Sequence, residues 1–248
     1  MQVTLIKKKI KFKKEALEIL KLFDEYGIKN IEIGLFYYLL VNNADFLFRS
    51  NNPKQEPILR LRIQNSIKTF RNIISAEQWN SIDLDKTIKV LFQIFNKFLK
   101  NNKTAANYFG TTIELYSKNW LDSNKKYNEI ISECYFCFKQ TAKDTRCIEK
   151  SLIKDMVGLH NNGCDIFECK LTASAYVDKL IKQLNDTYKI SRSLKELDCR
   201  VNSVLITAEF KKTDIIRENI IKKAKENDKL NFKTNFNIVN GFELFGFL

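Results

Sequence analysis

The sequence predicts an α/β chain: a mixed β-sheet core flanked by helices, preceded by a mostly helical N-terminal domain. Three observations predict it. Apolar residues recur at helical spacing through the first hundred positions. Beyond them, β-like runs interleave with two long helical stretches, an order that gives a mixed sheet with helices on its faces. Within that portion, Asn162-Gly163 separates two apolar runs, which is a strong short-range hairpin signal.

The elements follow in order. Glu15–Tyr26 places Ala16, Ile19, Leu20, Leu22 and Phe23 on one side, and Gly27 ends the helix. Ile31–Val41 is apolar nearly all round, which predicts a buried helix. Residues 42–57 hold both prolines, Pro53 and Pro57, and read as a loop. Leu59–Ser75 and Ser81–Leu99 complete the helical portion. The Asn101-Asn102-Lys103 stretch is the expected boundary, giving domains 1–103 and 104–248. After it come a helix (Ala105–Leu121), three β-like runs (Ile131–Phe138, Leu152–Leu159, Cys164–Leu171) and a long helix (Ala173–Leu197). A strongly β run (Val201–Phe210), a helix (Thr213–Asp228) and an alternating segment (Phe232–Phe247) close the chain.

Composition excludes several chemistries. The 248 residues carry a net charge of +13, 6 Cys, 7 Gly and one histidine, His160. One imidazole cannot build a two-His zinc site. No Gly-x-x-x-x-Gly-Lys-Ser/Thr loop or dinucleotide fingerprint is present. The charge points to a polyanionic partner such as nucleic acid. It is uneven: 19 basic and 10 acidic residues up to Lys103, 23 and 19 after it. No apolar run is long enough to span a bilayer, and residues 1–14 show no signal peptide. A cytoplasmic, reducing location with free thiols is therefore expected, and no membrane partner.

The chemistry concentrates in Ile153–Lys170. If Asn162-Gly163 is the two-residue loop, Leu159 pairs with Ile166, Val157 with Glu168 and Asp155 with Lys170. Side chains alternate along a strand, so Asp155, Glu168 and Lys170 project to one side. Two carboxylates and an ammonium converge there. Hard oxygen ligands suit Mg²⁺, with Mn²⁺ as a substitute. A lysine beside a metal-held water can stabilise hydroxide, or act as base if its pKa is lowered.

Asp155 followed by Glu168-Cys169-Lys170 resembles the PD-(D/E)xK pattern of the restriction-endonuclease-like superfamily of Mg²⁺-dependent nucleases. Lys154 stands where that pattern has proline. The resemblance covers about residues 104–248. It implies an α/β core in which Asp155, Glu168 and the Cys169 carbonyl hold the metal and Lys170 is the catalytic lysine. Gly110-Thr-Thr-Ile-Glu114 is similar to the family's opening helix, whose glutamate supports a metal-held water. A similar arrangement occurs in nuclease domains of CRISPR-associated ancillary effectors. The bare triplet recurs at Glu209-Phe210-Lys211, after Asp198, so the hairpin context carries the signal.

The expected function is Mg²⁺-dependent hydrolysis of DNA phosphodiesters, restriction-type or as a defence effector, with RNA kept as an alternative substrate. The rival readings are a structure-selective nuclease such as a junction resolvase, and a non-catalytic nucleic-acid-binding protein. Arg60, Arg62 and Arg71 are candidates for forked phosphate or guanine contacts. Lys179 and Gln183, on the helix after the motif, are further nucleic-acid candidates, and Gln183 could also support the site. The restriction-type resemblance suggests a homodimer, since cutting both strands needs two sites. Cys134 and Cys137 are three apart, which on a strand turns them to opposite faces and favours buried thiols over a metal cluster. His160 is expected to be a turn residue.

Overall fold

A computed structural model of the chain describes residues 2–43, 56–98, 105–124, 126–141, 144–147, 153–161, 163–173, 177–195, 198–226 and 236–247. The helices are α1 (Lys13–Glu25), α2 (Asn30–Asn42), α3 (Glu56–Ile73), α4 (Ala76–Asn80), α5 (Leu84–Phe98), α6 (Ala105–Ser123), α7 (Val177–Lys195), α8 (Thr213–Glu226) and α9 (Gly241–Leu244). The strands are β1 (Gln2–Lys7), β2 (Glu129–Thr141), β3 (Asp144–Cys147), β4 (Lys154–His160), β5 (Gly163–Lys170), β6 (Arg200–Thr207) and β7 (Phe236–Val239).

All seven strands form one mixed sheet in the order β1-β2-β4-β5-β6-β7, with β3 also on β2. Pairing is antiparallel from β1 to β5 and parallel from β5 to β7. Hairpin turns cannot join parallel neighbours, and α7 and α8 supply the crossovers. Their apolar stripes bury the sheet: Ile190 and Leu194 join Val157, Cys164 and Ile166 in one cluster. Leu180, Leu184, Ile216 and Ile220 join Leu205 and Ile238 in a second.

The chain divides into two compact units. One comprises Met1–Lys11, Ile113–Thr207 and Lys212–Val239; the other comprises Phe12–Thr112, Ala208–Lys211 and Asn240–Leu248. The expected boundary at 103/104 lies outside the described residues, and the observed division is not a single cut. Residues 2–7, placed by the expected boundary in the helical 1–103 domain, pair from Gln2↔Lys139 to Lys7↔Cys134 and belong with the sheet. Among the described residues, the closing segment is a strand over Phe236–Val239. Asn240 then caps α9, its side chain accepting from Glu243 N at 3.1 Å. The last residues fill the helical unit instead, where Phe245 stacks on Tyr37 with centroids 5.4 Å apart. The loop expected at 42–57 falls mostly outside the described residues.

In the helical unit, α2 is buried on nearly every face, as its nearly all-round apolar run predicts. Its one carboxylate, Glu32, is fully buried and satisfied. It accepts from the backbone N of Lys29 and of Asp83, both at 2.8 Å, with Lys86 Nζ 3.3 Å away. Among the described residues, no helix is long and apolar enough to cross a membrane. Cys134, Cys164, Cys169 and Cys199 are free, but Cys137 is disulfide-bonded, which corrects the expectation of free thiols throughout. Cys147 stands opposite it in the β2–β3 register.

Candidate active site

Every residue of the site belongs to the sheet unit. The β4–β5 hairpin positions most of them, in a register that differs from the expected one. His160 pairs with Gly163, Leu159 with Cys164 and Met156 with Phe167, so Gly163 is part of β5 rather than of the loop expected at Asn162-Gly163. The glycine is needed for a different reason. A Cβ at Gly163 would sit 1.9 Å from Arg200 O, so its bare backbone lets β6 close against β5. Continued one step, this register sets Asp155 opposite Glu168 instead of Lys170. The shift is two residues, an even number, so Asp155, Glu168 and Lys170 keep the face the alternation assigned them.

The alternation breaks once, where β2 meets β4. Ser132↔Met156 and Cys134↔Lys154 are paired, while Glu133 and Asp155 between them are not. Glu133 has φ 47°, a left-handed conformation that is rare for a non-glycine residue and gathers at functional sites. The irregularity brings Cys134 into the same α7-facing cluster as Ile131. Lys154, opposite Cys134, turns the same way. Its buried ammonium donates to Glu168 Oε1 at 2.9 Å and to the Gln183 carbonyl of α7 at 3.0 Å.

Three oxygen-bearing groups converge on one atom, Lys170 Nζ. It donates to Asp155 Oδ2 at 3.0 Å and to the Cys169 carbonyl at 2.8 Å, and lies 3.7 Å from Glu168 Oε2. Asp155 Oδ2 also accepts from Cys169 N at 2.7 Å. Glu168 Oε2 is fully buried and accepts no hydrogen bond. Side chains of Asp155 and Lys170 remain about one-seventh exposed, so the cluster is not sealed from solvent (13% and 14%).

Electrostatics record how much negative charge is gathered here. Burial, then Asp155 and Glu133, push the Glu114 carboxyl up to about 9, against the opposing pull of Lys170. Burial and Asp155 push Glu168 up to about 7, while Lys154 and Lys170 hold it down. Glu133 is raised by burial and by Asp155. Burial alone would lower Lys170, but Asp155 and Glu168 outweigh it and hold the ammonium charged well above its ordinary range. With Asp155 and Glu168 free to pair with it, Lys170 is an ammonium rather than a neutral amine.

The donor set fits a hard divalent cation. The oxygens expected to ligate a metal, from Asp155, Glu168 and the Cys169 carbonyl, already surround a positive charge, and the ammonium stands in for it. Among the described residues, no three His, Cys, Asp or Glu side chains are arranged as a metal cage. Mg²⁺ needs none, because it keeps several waters and binds through one or two carboxylates.

Other expected residues fall as follows. Glu114, on α6, joins the cluster. Lys179 is exposed on the first turn of α7. Gln183, one turn on, contributes its carbonyl to Lys154, while its Oε1 is buried without a partner. Arg60, Arg62 and Arg71 lie exposed on α3 of the helical unit; Arg60 sits over Phe92 and Arg71 over Trp79, at 5.4 and 5.6 Å from the ring centroids. The second triplet lies beyond β6, with Lys211 Nζ 3.6 Å from Glu209 Oε1. His160 ends β4, its Nε2 3.6 Å from Asp165 Oδ1.

Sequence reasoning missed Glu133, Lys154 and Asp165. Glu133 gave no signal, because nothing in SECYFCFK marks a break in the strand. Lys154 did offer one, standing where the family pattern has proline. Asp165 is buried in a network of its own, accepting from Tyr127 Oη at 2.6 Å, Asn202 Nδ2 at 2.8 Å and Lys126 Nζ at 2.9 Å.

No family model matches the chain, and no curated protein matches it. Among solved structures it is similar to the crystal structure of protein VC1899 from Vibrio cholerae, with 13% identity and a TM-score of 0.37. The match covers 98% of this chain and 56% of that one, so the chain spans just over half the length of the protein it matches. At that TM-score the likeness bears on neither fold nor function.

Proposed function

We propose that the sheet-bearing unit is a Mg²⁺-dependent nuclease of PD-(D/E)xK type, with a restriction-endonuclease-like core, that hydrolyses phosphodiester bonds in DNA. The observation that carries this reading is the convergence of Asp155, Glu168 and the Cys169 carbonyl on the ammonium of Lys170. Asp155, Glu168 and the Cys169 carbonyl would hold Mg²⁺, which when bound supplies a Lewis acid for the phosphate and acidifies water. Lys170, held charged by its neighbours, stabilises negative charge developing on the phosphate oxygens and can return a proton to the leaving oxygen. Glu114, within electrostatic reach of Asp155, Lys170 and Glu168, would support a water at the metal. Lys179 offers an exposed cation one turn before Gln183 for the substrate backbone. Arg60, Arg62 and Arg71 give the helical unit exposed positive charge for the same polyanion.

The test is cleavage of supercoiled plasmid, linear duplex, single-stranded DNA and RNA, each with Mg²⁺ and with excess chelator. Chelator abolishes cleavage, and Glu168→Gln and Lys170→Ala each slow it by about 10²-fold or more. Unchanged Mg²⁺-dependent cleavage in those variants would remove the site assignment. A chain inert on all four substrates would remove the nuclease reading.

A further inference from the structure

Lys154 is an unusual residue to find where it is. A lysine is almost never fully buried unless paired, and this one is 1% exposed. Reaching its position takes the break in alternation at Glu133 and Asp155, including a left-handed backbone at Glu133. Conformations of that kind cost about 1–3 kcal/mol and persist only where the surroundings over-determine them. The ammonium so placed makes two contacts of good length, to Glu168 Oε1 and to the Gln183 carbonyl. That carbonyl also accepts from Thr187 Oγ1 at 3.0 Å, which fixes it within α7. Glu168 is therefore tied through Lys154 to a rigid helix.

A glutamate has three rotatable side-chain bonds, and a metal ligand must be held within about half an ångström of its working position. Engaging Oε1 leaves Oε2 as the buried atom with no hydrogen bond, on the side where Lys170, Asp155 and the Cys169 carbonyl meet. We propose that Lys154 is a positioning residue of the cation site: it pins Glu168 by one oxygen so that the other, which accepts no hydrogen bond among the described residues, is presented to a divalent ion. This inference rests on the nuclease reading above. It gives the position before the first aspartate an active task in this chain, one that proline could not perform.

The experiment uses the intact chain and Mn²⁺ as the probe, with affinity measured by calorimetry or by the electron paramagnetic resonance of free Mn²⁺. Lys154→Met weakens Mn²⁺ binding by about 10- to 100-fold, the usual effect of losing a group that orients a ligand. Because Lys154 acts through Glu168, the same change in a Glu168→Gln background alters affinity by about twofold at most. If Lys154→Met does not fold, Lys154→Gln, which keeps a donor without the charge, takes its place and binds Mn²⁺ more weakly than the native chain. Native affinity in the folded variant overturns the proposal. So does an equal loss in both backgrounds, which would mark a purely structural role. Native affinity in Glu168→Gln itself would instead overturn the metal site, and this inference with it.

Discussion

Replacing Lys170 by methionine separates the two jobs assigned to its ammonium. The charge lies 3.0 Å from Asp155 Oδ2 and 3.7 Å from Glu168 Oε2, on side chains no more than one-seventh exposed. Removing one partner of such a buried pair costs about 3–5 kcal/mol, and slight exposure favours the lower end. For a chain of this length, a loss of about 3 kcal/mol lowers Tm by roughly 6–12 °C. If the same oxygens form a cation site, a divalent ion replaces the missing charge. Mg²⁺ at a hundred times its dissociation constant returns about 2.7 kcal/mol, nearly the whole deficit. The assay is thermal melting of the native chain and Lys170→Met, with chelator and over a Mg²⁺ series, with cleavage measured beside it. The variant should melt low in chelator, recover with Mg²⁺ and still cleave poorly. A variant whose Tm does not rise with Mg²⁺ would refute the idea that these oxygens were assembled for a metal.

Two further predictions concern protonation and the network beside the site. Glu114 in the folded, metal-free chain titrates near 9, above its ordinary 4.5. The folded form therefore keeps a proton that the unfolded chain releases, and stability falls as pH rises between about 4.5 and 9. Glu114→Gln should flatten that decline in chelator melts across pH 5–9, and a variant with the native slope would contradict the assignment. Tyr127→Phe removes a 2.6 Å hydrogen bond to the buried Asp165 carboxylate, at a cost of about 1.5–3 kcal/mol in urea unfolding. Burial alone would raise Asp165, but donors from Tyr127, Asn202 and Lys126 hold it below its ordinary value. The stability it contributes is thus present at neutral pH and lost in strong acid, and Tyr127→Phe should move that acid loss to higher pH.

How much of the site could be read from the sequence comes down to parity. The hairpin loop was expected one residue too late, because Asn-Gly is a strong turn signal and nothing local reveals that a parallel neighbour will press on the glycine backbone. Moving a two-residue loop by one position shifts every cross-strand pair by two. Two is the period of the strand, so the face of Asp155, Glu168 and Lys170 survived an error that altered each partner. A shift of one in the pairing would have scattered them. Residues 2–7 are illegible in the sequence for a related reason: six residues have little periodicity of their own, and pairing with β2 makes them a strand. The Glu133 and Lys154 positions depend on a break in alternation, which cannot be predicted from alternation itself. That break breaches the local pattern, puts a residue in left-handed backbone and buries a lysine, all next to the carboxylates. A fold satisfied by packing alone has no use for such a combination. It becomes intelligible if the strand was bent to hold Glu168 by one oxygen and leave the other bare.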